Sequence, residues 1–308
     1  MIGSNRRAGF ALVTVLWLLV LLSSIALVTV RAGRLVVDTA TRRVASERAR
    51  WVGRGCLAAV RAALAEAIQD AGGPQGNTLA WRRADEVLRD ATIGIDPRCE
   101  IDAEPLGIRF DLNTADTLSV MRFVRAAAPG SDAVALTNAL FDWRDADGTT
   151  RPGGAERDWY TAGGRVPPRD GDFRAREELR LVKGFEDATR LLDLTDVESA
   201  QIALEHAPRE LLLSINGLDD AIVDYMLWRR RSGAPVRTLD ALVAEAPRQL
   251  RPRLLAAIAT LAGQGTMDPD GWLIRAVVKD QQGRTVIRVE DLVRRLGSTI
   301  AAVRERTW

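Results

Sequence analysis

Residues 10–30 read FALVTVLWLLVLLSSIALVTV, a run of 21 residues that contains no charged side chain. At a rise of about 1.5 Å per residue, a helix of this length spans roughly 31 Å, which matches the hydrocarbon core of a bilayer. The run therefore predicts a membrane-spanning helix. A cleaved secretory signal is the alternative, with Val30-Arg31-Ala32 as a weak cleavage site, but its apolar region is usually only about 7–15 residues long.

Arginines flank this run on both sides. Arg6 and Arg7 precede it and favour a cytoplasmic amino terminus. The arginines that follow it closely are Arg31, Arg34, Arg42 and Arg43. Charge bias alone therefore does not fix the orientation of the span.

The apolar pattern continues beyond the run with helical spacing. The residues that recur at steps of three and four are Val37, Ala40, Val44, Val52, Cys56, Ala59, Val60, Ala63 and Ala67. This spacing places them along one face of an amphipathic helix, and Gly72-Gly73-Pro74 is the segment that ends it. We therefore expect one helix of about 90 Å from Phe10 to Asp70, with its first third in lipid and the rest packed on a folded domain.

Length, net charge and residue counts limit the number of domains and the classes of function that the chain can have. A length of 308 residues predicts two domains, or one domain with a large insertion. The net charge of +2 gives no global excess of cations for a nucleic-acid partner. One histidine, His206, and two cysteines cannot form a Cys/His zinc site, and a Ser-His-Asp triad would have to use His206. We predict that the protein is not an enzyme.

Alternation of apolar and polar residues predicts two pairs of antiparallel strands. The first pair lies within residues 93–112, with a turn at residues 104–107. The second runs from Trp272 to Val289, with a turn at residues 280–283. Because these pairs are far apart in the sequence, the chain between them is expected to be an insertion into one small α+β domain.

The insertion, roughly residues 113–265, is predicted to be almost wholly helical. One helix is expected from Asp132 to Phe141 with Ser131 as its cap, and the others at residues 175–183, 218–231 and 250–262. Residues 182–185 and 215–218 each place a glycine between apolar residues, the layout of a helix-hairpin-helix turn. The segments that precede such helices are residues 112–115 and 204–207.

Helical hairpins of this kind bind phosphate through backbone amides, so a membrane-tethered DNA-binding or DNA-uptake protein is a competing interpretation. Glu186 and Asp219 occupy the position of the second glycine, where a carboxylate would repel phosphate. The run Arg229–Arg231 is more typical of a solvated helix end that matches the helix dipole. The sequence therefore favours a protein that does not bind nucleic acid.

A second chemical signal lies in residues 141–160, where an Asp-x-Asp-Gly segment is followed by a glutamate. This pattern is typical of oxygen ligands gathered around a hard cation. It is not an EF-hand, because Thr149 and Arg151 stand at intermediate ligand positions. The candidate ligands are Asp142, Asp145, Asp147 and Glu156, with Asp170 and Asp172 as weaker candidates.

Two other interpretations of these carboxylates stay open. They could cap helices and pair with nearby arginines, which are Arg144, Arg151 and Arg157. A hydrolase built on Asp145 and Asp147 would need a supporting partner and a pocket, for which the sequence gives no signal.

Residues 6–16, RRAGFALVTVL, resemble a type IV prepilin leader: a short basic segment, a glycine, and an aromatic residue that opens a long apolar helix. The resemblance implies that a membrane peptidase cleaves after Gly9 and methylates the new amino terminus, Phe10. Most pilins carry glutamate at the fifth mature position, where this chain has Thr14. The same departure is characteristic of the protein K family, the minor pseudopilins K of type II secretion systems.

The whole chain resembles that family. The resemblance implies an α+β fold in which a long N-terminal helix packs on a small antiparallel sheet of pilin type, with an all-α insertion of two helix-hairpin-helix or SAM-like modules. The expected divisions are a leader at 1–9, a transmembrane segment at 10–30, a pilin-like helix and first strands at 31–112, the insertion at 113–265, and C-terminal strands at 266–308.

The resemblance also implies function. The expected role is at the tip of the type II secretion pseudopilus, where the chain initiates or caps the fibre during protein export. Expected partners are the other minor pseudopilins, the prepilin peptidase and the inner membrane, with the bulk of the chain periplasmic and calcium bound at the acidic loop. An unrelated single-pass periplasmic scaffold is a further alternative.

Cys56 and Cys99 are the two cysteines. An oxidising periplasm would allow them to form a disulfide between helix and sheet. Two buried thiols are the alternative, since the sequence does not give their separation.

Overall fold

The computed structural model describes residues 6–70, 86–88, 96, 98–198, 200–233, 238–269, 271–296 and 299–307. Helices follow the order α1 (Arg6–Asp70), α2 (Thr117–Ala127), α3 (Ala133–Arg144), α4 (Arg157–Ala162), α5 (Thr189–Asp193), α6 (Arg209–Ser214), α7 (Asp220–Arg231), α8 (Leu239–Ala244) and α9 (Arg251–Gln264). Strands are β1 (Cys99–Pro105), β2 (Phe110–Asp111), β3 (Thr195–Asp196), β4 (Ile202–Ala203), β5 (Gly265–Thr266), β6 (Gly271–Lys279), β7 (Thr285–Leu296) and β8 (Thr299–Thr307).

Helix α1 is a single element of 65 residues. It is unbroken through Arg31–Arg34, so the predicted long helix is confirmed. Side chains from Val13 to Val30 are exposed in the isolated chain. Among the described residues, α1 is the helix with the length and apolar composition needed to cross a membrane.

The main sheet has four strands in the order β1-β6-β7-β8, and every neighbouring pair is antiparallel. This confirms the predicted mixed α+β architecture with an antiparallel sheet. The predicted turn at residues 280–283 joins β6 to β7. The predicted pairing within residues 93–112 is wrong, because β1 pairs with β6 and β2 pairs in parallel with β3; alternation indicates a strand but not its partner. The predicted strand residues Ile93 and Ile95 lie outside the described part of the chain. Strand β8 has no counterpart among the predicted hairpins.

The second half of α1 packs on one face of this sheet. Leu57, Val60 and Leu64 on α1 are buried in one core with Trp272, Ile274, Val289 and Val293. Gly53 lets α1 approach β7 closely, because a Cβ there would lie 2.7 Å from the side chain of Val289. Hydrophobic burial of this face therefore fixes the position of the helix.

A covalent link and an ion pair add to this contact. A disulfide joins Cys56 on α1 to Cys99 at the start of β1. Arg61 of α1 pairs with Asp291 of β7, whose side chain is buried. Burial raises the pKa of Asp291 despite the neighbouring guanidinium of Arg61. The second half of α1 is thus linked to the edge strand β1 and to the central strand β7.

The helices between β1 and β6 form a second core, which includes Phe123, Trp143, Tyr160, Leu211 and Leu254. This segment also contains two short parallel strand pairs, β2 with β3 and β4 with β5, which the prediction of an almost wholly helical insertion did not include. Each of these strands has two residues, which is too short to give a period-two signal. Residues 176–181 form a 3-10 helix rather than the predicted helix at 175–183.

The cap of α3 also differs from the prediction. Asp132, not Ser131, is the N-cap residue, and its carboxylate accepts hydrogen bonds from the backbone N–H groups of Val134 and Ala135. The Ser131 hydroxyl instead donates to the Ala128 carbonyl. Serine and aspartate are equally good caps, so the preference depends on the local backbone.

Candidate metal centre

The acidic loop connects α3 to α4. Asp145 is the C-cap residue of α3 and Glu156 is the N-cap residue of α4. Glu156 makes no side-chain capping bond, so its carboxylate is free to turn toward the loop. The Asp147 carboxylate accepts a hydrogen bond of 2.7 Å from the backbone N–H of Thr149, which closes a tight turn. The loop therefore returns on itself between the two helix ends.

Three of the predicted ligands meet at this point. Asp145, Asp147 and Glu156 each offer an oxygen, and these oxygens all lie within 4.8 Å of one another. Asp147 is exposed and Asp145 half-buried, whereas Glu156 is only 7% exposed. Atoms Oδ1 of Asp145 and Oε1 of Glu156 are buried and have no hydrogen-bond partner among the described residues.

The local electrostatics are unfavourable for three ionised carboxylates. Burial, followed by the charges of Asp142, Asp145 and Asp147, raises the pKa of Glu156 to about 7. The backbone N–H of Thr149 lowers the pKa of Asp147 and keeps that group ionised. A carboxylate set with two unsatisfied buried oxygens fits a hard divalent cation, since calcium takes oxygen ligands and would supply the missing charge.

Asp142, the fourth predicted ligand, is held elsewhere. Its side chain is completely buried, and its Oδ1 accepts a 2.7 Å hydrogen bond from Nη1 of Arg151. Its Oδ2 accepts from the backbone N–H of Arg151 at 3.2 Å. Arg151 also pairs with Oδ2 of Asp145. The structure thus brings together three of the four candidates, and it places Asp142 behind them.

The remaining acidic candidates and Arg144 lie outside the three-carboxylate cluster. Asp170 pairs with Arg157, and Asp172 is exposed outside the three-carboxylate group. Arg144 points away from the acidic loop and donates to the carbonyls of Leu112 and Asn113, both at 2.7 Å. Arginine pairing therefore accounts for Asp142, Asp170 and one oxygen of Asp145, and leaves Glu156 without a cationic partner among the described residues.

The two glycine turns are both left-handed, with φ of +84° at Gly184 and +89° at Gly217. Each turn packs against a helix: a Cβ at Gly184 would lie 2.6 Å from the side chain of Leu136. Glu186 pairs with Arg165, and Asp219 caps α7 and pairs with Arg253. These carboxylates flank the turns, which argues against phosphate binding there.

Sequence reasoning missed two structural arginines. Arg230 donates to the carbonyls of Leu204 and Ala207, just as Arg144 donates to those of residues 112 and 113. Each arginine lies in the last turn of a helix and secures the segment that precedes its module. The sequence predicted a solvated helix end at Arg229–Arg231, but Arg230 is bonded to these carbonyls and Arg229 pairs with Glu245. The sequence signal that could have found these arginines is the similarity of residues 112–115 and 204–207, the two segments that they bind.

The predicted processing residues Gly9 and Phe10 lie within the first turns of α1. The structure describes their backbone as helical and continuous with the apolar span.

Comparison with known families gives one match within the insertion. Residues 114–193 match the family model for the first domain of type II secretion system (T2SS) protein K. The matched segment is about a quarter of the chain and contains the acidic loop. No curated protein sequence matches the chain.

The fold is similar to that of a chain in the crystal structure of the GspK–GspI–GspJ complex from the type 2 secretion system of enterotoxigenic Escherichia coli. The TM-score is 0.64 at 15% sequence identity, and the alignment covers 86% of this chain and 98% of that chain. The predicted resemblance to protein K is thus confirmed, in sequence over residues 114–193 and in fold over most of the chain.

Proposed function

We propose that this chain, whose resemblance to the type II secretion protein K family is established above, is a minor pseudopilin that initiates or caps the pseudopilus. The observation that carries the proposal is the continuity of α1. One helix extends from an apolar, membrane-length segment to a face packed on an antiparallel sheet. This is the arrangement that a subunit needs if it leaves the membrane and joins a fibre through its helix.

The exposed face of α1 supports lateral packing with other helices. Opposite the sheet, Trp51, Gly55, Ala58 and Ala62 are exposed at steps of four, three and four residues. Trp51 is 68% exposed. This spacing places one large and three small apolar or glycine residues on the same side of the helix. A second helix could pack closely against such a surface. Within the predicted stripe itself, Val37, Ala40 and Val44 are exposed, whereas Cys56, Val60 and Ala67 are buried.

The partners follow from the same comparison. The similar chain belongs to a complex of GspK, GspI and GspJ, and we infer that the corresponding minor pseudopilins contact this chain. Thr14 replaces the glutamate typical of mature pilins, and the broad insertion would obstruct stacking above it. Both features suit a subunit at the tip. The two helical modules with glycine turns then form the outermost part of the fibre.

Membrane insertion and processing complete the proposal. We infer that the prepilin peptidase cleaves after Gly9 and methylates Phe10, and that the sheet and insertion lie in the periplasm. The disulfide between Cys56 and Cys99 is consistent with an oxidising compartment. The acidic loop binds a structural calcium ion through Asp145, Asp147 and Glu156.

Photo-crosslinking in cells that carry the secretion system tests the assembly. A photoreactive residue at position 51 is expected to cross-link to other pseudopilins when the fibre assembles. Position 228 is the matched control, because Trp228 is a similarly exposed tryptophan (56%) on the insertion. Cross-links from position 228 but not from position 51 would contradict packing through α1.

A further inference from the structure

Arg151 lies at the boundary between the three clustered carboxylates and the buried Asp142. Its Nη1 atom bonds both Asp142 and Oδ2 of Asp145. Its guanidinium also lies over the ring of Phe141, 5.8 Å from the ring centroid. A single side chain therefore connects a completely buried carboxylate to one that borders the candidate cation site.

Arg151 occupies only one of the two oxygens of Asp145. The other, Oδ1, is buried and unpartnered, as is Oε1 of Glu156. Glu156 is more than nine-tenths buried. Because a carboxylate held through one oxygen has its second oxygen fixed in direction, the bond to Arg151 determines where Oδ1 points.

We propose that Arg151 is a positioning residue for the cation site: it clamps Asp145 to the buried Asp142 so that Oδ1 of Asp145 stays directed at the site shared with Asp147 and Glu156. The inference rests on the proposed calcium site. It assigns Asp142, predicted as a ligand, to the anchor of the clamp.

The positive charge of Arg151 would repel a cation bound beside it. The buried carboxylate of Asp142 offsets this repulsion, because it pairs directly with Arg151 at 2.7 Å. The pair is neutral as a unit, so its net effect on a nearby cation is small compared with the loss of a fixed ligand. The loop passes directly over the anchor, since a Cβ at Gly154 would lie 2.1 Å from Oδ2 of Asp142. The anchor is therefore enclosed on the loop side.

The test is calcium titration calorimetry on the full chain in detergent, with the double variant Arg151→Gln/Asp142→Asn. The two changes remove one positive and one negative charge, so the net charge is constant and Asp142 is not left as an unpaired, completely buried carboxylate. Loss of the positioning bond is expected to weaken calcium binding about 10- to 100-fold. The control is Arg165→Gln/Glu186→Gln, which removes another arginine–carboxylate pair from the same part of the chain and is expected to leave the affinity unchanged.

A second measurement separates positioning from general loosening of the loop. Terbium(III) luminescence lifetimes in H₂O and D₂O count the water molecules bound to the ion. The double variant is expected to gain about one water, because Asp145 no longer presents its oxygen. Unchanged or tighter calcium binding in the double variant, or an unchanged water count, would overturn the role of Arg151. Absence of calcium binding by the unmodified chain would overturn the calcium site as well.

Discussion

Breaking the disulfide between Cys56 and Cys99 should destabilise the unit formed by α1 and the main sheet. The two cysteines are 43 residues apart in the sequence. Closing a loop of this length in the unfolded chain lowers its entropy enough to stabilise the folded state by about 4 kcal/mol at 25 °C. Because 1.4 kcal/mol corresponds to a factor of ten, the unfolded form of this unit should become about 700-fold more populated.

Hydrogen exchange measured by mass spectrometry reports such unfolding segment by segment. Peptides from β6 and β7 should exchange faster in the Cys56→Ala/Cys99→Ala variant, and also in the unmodified protein after reduction. Peptides from α9 serve as the internal control, because α9 packs in the separate core of the insertion. Equal exchange of β6 with and without the disulfide would refute this account of how the helix is held.

Three further perturbations have defined outcomes. Leu64→Ala, at a fully buried site on α1, should lower the free energy of unfolding by about 3–5 kcal/mol in denaturant titrations, whereas Leu255→Ala on the exposed side of α9 should change it by less than about 0.5 kcal/mol. Chelation should lower the melting temperature of the unmodified chain but not of Asp147→Ala, and a chain indifferent to chelator would favour arginine pairing alone. Glu104 is partly buried, but its hydrogen bonds and ion pairs with Arg109 and Arg275 outweigh burial and lower its pKa. The stabilisation is present above the unfolded-state pKa and is lost as pH falls through the folded-state pKa, so Glu104→Gln should make stability fall less steeply between about pH 5 and 3. An unchanged dependence of stability on pH in this range would disprove the assignment.

Local patterns made the long helix predictable from the sequence. The charge-free run and the three- and four-residue spacing act along the chain, so they need no knowledge of distant contacts. Strands β6 and β7 alternate clearly because their apolar residues face α1 across a single core. The adjoining turn has Gly283 at φ +76°, a conformation that glycine adopts readily.

Features that depend on distant contacts were harder to predict. The sequence shows that Asp142 is acidic. Only the packed loop shows that Arg151 binds Asp142, while Oε1 of Glu156 has no hydrogen-bond partner among the described residues. The links from Arg144 and Arg230 to distant carbonyls likewise join segments about 30 residues apart. The strands of two residues are set by such contacts and have no periodicity of their own.

Intact-mass analysis of the protein extracted from membranes is the most direct test of the account. A minor pseudopilin processed at Gly9 should lack residues 1–9 and carry one additional methyl group on Phe10. A protein that keeps all nine residues, or one cut near Ala32 like an exported protein, would contradict it.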